Sequence, residues 1–237
     1  MKRHLDPVSL FLNIITKVAA FITILVLFFI IAYILIRGIP NLTPSLFEWE
    51  YTTENVSMMP AIINTIYVVL LSLLISAPIG ICSAIYLVEY AKRGSKLVKI
   101  VLLTTETLAG IPSIVYGLFG SLMFVISLNM GLSLLAGSLT LAIMVLPTIM
   151  RTTQEALVAV PDSYREGSYG LGAGKIRTIF RIILPSAVPG IMSGIVLSMG
   201  RIVGETAALI YTSGTVGKIS TSVFEPGSTL AVHMYKL

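Results

Sequence analysis

Arg201 and Glu205 stand four residues apart inside an otherwise apolar run from Val188 to Ile210. Four residues is about one helical turn, so both side chains would share a face and could pair. A helix begun at Val188 carries Arg201 about 20 Å along its axis, where a guanidinium turned to lipid would be costly. Arginine also presents a planar fork of donors that fits an oxyanion, a geometry lysine lacks. Two readings follow: an internal ion pair that packs helices, or a cation on the path of an anion, with Glu205 keeping that cation from trapping its cargo. Glu106 is the third charge of this kind, about 9 Å into a run that begins near Ile100. A helix-start or packing role and a place at the mouth of the same path fit it equally.

Other chemistries have little to stand on. Cys82 is the single cysteine and lies in an apolar run, so it forms no internal disulfide and reads as a small packed hydrophobe. His4 and His233 sit at opposite ends of the chain and make a poor metal site. There is no G-x-x-x-x-G-K-[ST] phosphate loop, so the chain carries no nucleotide site of that kind.

The elements that must position these charges are set by composition. Of 237 residues, 56% are apolar and 11% charged, too few charges for an ordinary wet surface. The bilayer is the expected solvent. Apolar runs from Val18 to Ile36, Val56 to Val88, Ile100 to Ser127 (interrupted by Glu106 and the GIP step), Leu134 to Met150 and Val188 to Ile210 (containing Arg201 and Glu205) predict five helical spans. The expected organisation is therefore a short segment at 1–17, a membrane domain at 18–210 with a loop at 151–187, and an extramembrane segment at 211–237 before a missing sixth span. Lysine and arginine split twelve to three between the two sides, Arg201 apart, which puts the amino terminus and both basic loops in the cytoplasm. That asymmetry accounts for the net charge of +5 without nucleic acid. In the acidic external loop, Trp49 and Tyr51 fit either the headgroup level or packing within the loop.

The loop from Ala156 to Gly190 predicts a compact knob. Pro161 suits a first helical position, Asp162 and Glu166 favour a helix start, and Gly170, Gly172 and Gly174 end it. A return helix from Lys175 to Ile183 then stops near Pro185. Such a knob fits docking of a soluble partner or packing on its own bundle.

The spacing from Glu166 through Gly172 to Ile182, Leu184 and Pro185 resembles the signature loop of bacterial ABC-importer permeases: Glu-Ala-Ala, three residues, Gly, nine residues, then Ile, one residue, Leu and Pro. The two alanine positions are Gly167 and Ser168, which lowers local helix propensity. The strings EYAKRGSK (from Glu89), ETLAGIPSIVYGLFG (from Glu106), LAGSLTLAIMVLPTIMRTTQEAL (from Leu135) and GRIVGETAALIYTSGT (from Gly200) extend the likeness over Pro60 to Thr215. They resemble phosphate-specific permeases of the PstA type.

That resemblance implies an all-α polytopic membrane protein, the transmembrane domain of a type I ABC importer in a bacterial inner membrane. It implies an ATP-binding-cassette ATPase dimer that docks on Glu166, Gly172, Ile182, Leu184 and Pro185 and holds the ATP and magnesium. It also implies a second permease, related or identical, an extracytoplasmic phosphate-binding protein, and a phosphate route near Arg201 and Glu205. Another small oxyanion, or a secondary-transporter subunit, is the alternative.

Overall fold

The computed structural model describes residues 7–92 and 95–237. Lys2, Arg3, His4 and Arg93, used above, lie outside the described residues. The chain divides into two units, Met1–Phe47 and Glu48–Leu237.

The described part of the first unit is a long helix, α1 (Pro7–Gly38), followed by 3-10 turns at Ile39–Asn41 and Pro44–Phe47. Its apolar stretch begins well before Val18 and passes through Lys17, because nothing from Pro7 to Gly38 breaks a helix and proline suits the first position. Thr16 and Thr23 donate their hydroxyls to the carbonyls four residues back, hiding polar groups within an apolar rod. The helix ends where Pro40 disfavours helical geometry in its predecessor.

The second unit is a bundle built around α5 (Leu134–Val158), which packs on α2 (Met59–Ile85) and α8 (Leu184–Val203). Leu141, Val145 and Ile149 recur every four residues on α5 and are fully buried. Small residues set the helix spacing: Gly80 lies against Ile149, Gly190 against Ala156, and a Cβ at Gly194 would stand 1.9 Å from the Thr152 hydroxyl. The fourth sequence-read span thus continues past Met150 for two more turns.

The third is broken. α3 (Lys96–Ala109) and α4 (Ser113–Gly120), the latter prolonged by a π-helical turn over Ser121–Ser127, meet at 101°. Pro112 removes an N–H and turns Ile111 away from helical geometry, and Gly110 tolerates the bend. The Tyr116 hydroxyl, on α4, donates to the Leu108 carbonyl of α3 at 2.8 Å and braces the corner.

The fifth starts earlier and ends earlier than its sequence limits. One continuous helix runs Lys175–Val203, comprising α7 (Lys175–Thr178), a π-helical turn at Ile179–Ile183, and α8. Pro185 does not stop it. The Leu184 N–H reaches the Ile179 carbonyl five residues back, and this wider turn accommodates the donor that proline lacks. Gly204 then ends the helix, and the short α9 (Ala207–Thr212) follows.

Among the described residues four helices are long and apolar enough to cross a membrane, five if the bent pair counts as one, and no sixth is seen. The protein is an all-helical polytopic membrane protein. The segment 211–237, expected outside the membrane, packs on the bundle. Leu134 and Leu135 donate their otherwise free N-terminal amides to the Glu225 and Val223 carbonyls. Asn64 of α2 bonds Lys218 O, Ser228 O and the Ser220 amide, and the short α10 (Leu230–Lys236) places Val232 in the core.

Candidate functional site

Arg201 occupies the last turn of the Lys175–Val203 helix, where the negative end of the backbone dipole favours a cation. It lies at the far end of a long helix, not midway along one begun at Val188. Its partner is not Glu205. The helix has ended at Gly204, so Glu205 leaves the helical register, and its Oε1 accepts the Ala208 amide at 3.1 Å at the start of α9. Glu205 is buried; Arg201 is half-buried and makes no hydrogen bond or ion pair among the described residues. The α4–α9 packing is close enough that a Cβ on Gly117 would fall 2.7 Å from the Ala208 Cα. α4 and α9 are thereby held together, and Arg201, in the last turn of α8, has no hydrogen-bond or ion-pair partner among the described residues.

Glu106 belongs elsewhere. It lines a hollow of about 200 Å³ with Leu102, Thr105, Arg151, Gln154 and Glu155, between α3 and α5. Cys82, expected as a packed core residue, is exposed, because with Ile79 and Tyr86 it falls on the outward stripe of α2. Tyr51 packs edge-on against the buried His233 ring at 5.7 Å, while Trp49 is exposed.

The knob is present. α6 (Asp162–Gly170) begins one residue after Pro161, and the chain reverses at Gly172, whose φ of +82° is the left-handed conformation that glycine accepts without strain. Amides of Gly172 and Ala173 close the turn on the carbonyls of Tyr169 and Ser168. Glu166 is exposed and unbonded. Ile182, Gly172, Leu171, Arg177 and Arg181 line a hollow of about 500 Å³; Leu184 is half-buried and Pro185 exposed. Ser168, at a position where the resembled signature has alanine, is buried and bonds Thr178 at 2.8 Å, so the substitution supplies a tie between α6 and α7.

Sequence reasoning missed Arg165, since it follows Tyr164 in a loop already rich in charge. Its Nε and Nη2 donate to Glu89 Oε1 at 3.1 and 2.8 Å, Nη1 to Val160 O and Asp162 Oδ1, and Nη2 to Leu157 O. The side chains of Arg165 and Glu89 are 15% and 6% exposed. Only the presence of an unmatched glutamate at the end of α2 signals this in the sequence.

The family model for "Binding-protein-dependent transport system inner membrane component" matches residues 76–235, from the second half of α2 through α10. The chain belongs to that family. This permease is 31% identical over 226 residues to the probable ABC transporter permease protein YqgI of Bacillus subtilis, covering 87% of the chain and 75% of the relative. It is 36% identical over 203 residues to the phosphate transport system permease protein PstA of Yersinia pestis, covering 84% and 68%. With PstA 1 of Mycobacterium tuberculosis (strain ATCC 25618 / H37Rv) it shares 41% identity over 150 residues, covering 63% and 48%. The chain thus spans between about half and three quarters of the length of these relatives. The matched region holds Glu89, Arg165, Arg201 and the whole knob. A permease subunit of an ABC importer is the function this membership carries.

Proposed function

We propose that this permease forms the pathway for inorganic phosphate in an importer driven by a separate ATP-binding-cassette ATPase dimer. The observation that carries the reading is the Arg201 guanidinium, half-buried in the last turn of α8 and without a carboxylate partner among the described residues. Its donor fork fits tetrahedral oxyanions, and Glu205, held on the α9 backbone, is near enough in the chain to oppose overly tight binding without neutralising the arginine. Several relatives bear the name of phosphate transport system permeases, which supports phosphate over other oxyanions.

The knob is the ATPase-docking surface in this reading. Glu166 points a free carboxylate outward, Leu171, Ile176 and Phe180 are exposed apolar side chains, and the Gly172 reversal sets the angle between them. The lysine and arginine asymmetry places this end and the amino terminus in the cytoplasm. Glu106, in its hollow with Arg151, stands at the cytoplasmic mouth. A second permease and an extracytoplasmic phosphate-binding protein complete the assembly.

The test is ATP-dependent uptake by vesicles holding the complete complex, with labelled phosphate and, separately, labelled sulfate. Saturable phosphate uptake that sulfate does not compete with is expected. Uptake of sulfate in preference would move the assignment to another oxyanion, and uptake driven by an ion gradient without ATP would overturn it.

A further inference from the structure

We infer that the Arg165–Glu89 pair is the mechanical joint that makes α6 and the membrane helix α2 move as one body, so that a displacement of the knob becomes a displacement of the bundle. The inference rests on the reading that the knob receives the ATPase.

Apolar burial does not fasten α6. Ser168 is its one buried residue, so the helix contributes almost nothing to the core and must be held by polar bonds. The guanidinium of Arg165 supplies them, with all five of its donors engaged. Two go to Glu89, in the π-helical turn Tyr86–Tyr90 that ends α2, one to the Leu157 carbonyl in the last turn of α5, and one to the Val160 carbonyl just beyond it. The fifth goes to Asp162 at the start of α6. One planar group therefore ties three helices, and its near-exclusion from water makes the charge-assisted bonds resistant to loosening. A second contact runs parallel to it: the Lys175 ammonium lies 4.7 Å over the Tyr90 ring, joining the return helix to the same end of α2. Arg165 is a positioning residue. It touches no cargo, and a lysine in its place is a point charge that cannot serve the carboxylate and both carbonyls together.

The experiment uses the complete complex in proteoliposomes, with Glu89→Gln and Arg165→Lys in the permease. ATP hydrolysis is expected to persist while phosphate taken up per ATP falls about fivefold or more. A role confined to holding the fold would reduce the amount assembled and leave that ratio at the wild-type value, which would overturn the joint. A second measurement does not depend on the cargo. In a Cys82→Ser background, nitroxides are placed at Ser163 on α6 and Leu70 on α2, both exposed. Their distance should hold within about 2 Å between nucleotide-free and ATP-bound states, and should change with nucleotide in Glu89→Gln. A wild-type distance that moves with nucleotide, or a Glu89→Gln distance as constant as the wild type's, would overturn the inference. If the wild-type complex hydrolyses ATP without importing phosphate, the cargo assignment fails while the distance measurement still decides the joint.

Discussion

Arg165 and Arg201 carry the same guanidinium into opposite surroundings. At one end of the bundle Arg165 spends every donor on Glu89, Asp162 and two helix-end carbonyls. In the last turn of α8, Arg201 spends none among the described residues, and the glutamate four residues on is occupied with the α9 backbone. A saturated guanidinium is a fastening, because any new ligand must first displace its partners. An unsaturated one, kept charged in a partly desolvated place, has donors left for something that arrives and leaves. The burial of a charge therefore says less about its role than the number of its donors already used.

The largest effect should come from emptying the fastened site. Arg165→Met strands the Glu89 carboxylate and two backbone carbonyls, a loss of about 3 to 5 kcal/mol, visible as a collapse of monodisperse protein and of the melting temperature in detergent. Replacing Gly172 with valine forces a β-branched residue into left-handed geometry and should cost about 1 to 2 kcal/mol, with weaker retention of the ATPase in a pull-down. Retention equal to wild type would remove the Gly172 turn from the docking surface. Gly167→Ala should act in the other direction, stabilising α6 by about 0.5 to 1 kcal/mol, since nothing lies within 4 Å of the added methyl. Glu166→Gln is expected to leave melting within about 0.5 kcal/mol and to lower ATP-coupled uptake; unchanged uptake would confine the exposed carboxylate to solvent.

The smallest effect concerns the segment after Thr212. The Thr221 amide, and then Lys218, hold the Glu225 carboxyl below the ordinary glutamate range. A lowered folded value means the stabilisation is complete above the ordinary value of about 4.3 and is lost as pH falls through the lowered one. The protection of the Thr221 amide against exchange, taken relative to its intrinsic rate at each pH, should therefore fall on acidification, and Glu225→Gln should flatten that dependence.

What the sequence disclosed follows from which forces are local. Apolar runs and the Gly172 reversal are properties of neighbouring residues, and the helices and the knob were legible from them. The 101° corner was visible as a GIP interruption, but its angle depends on Tyr116 reaching Leu108, and that contact is tertiary. Pro185 misled because its usual helix-breaking effect is absorbed by a π-helical turn that no single residue announces. Arg201 and Glu205 were picked out as intramembrane charges, whereas their separation required knowing that the helix ends at Gly204. Arg165 and Glu89 are 76 residues apart in the chain, and nothing periodic links them.

The contrast between the two arginines is tested most directly by phosphate uptake in vesicles holding the assembled complex with Arg201→Met, normalised to the amount of permease assembled. The account predicts wild-type assembly and melting, because no carboxylate is stranded, with ATP-dependent uptake reduced by about tenfold or more. Wild-type uptake by the assembled variant would contradict it and leave Arg201 without a part in moving the anion.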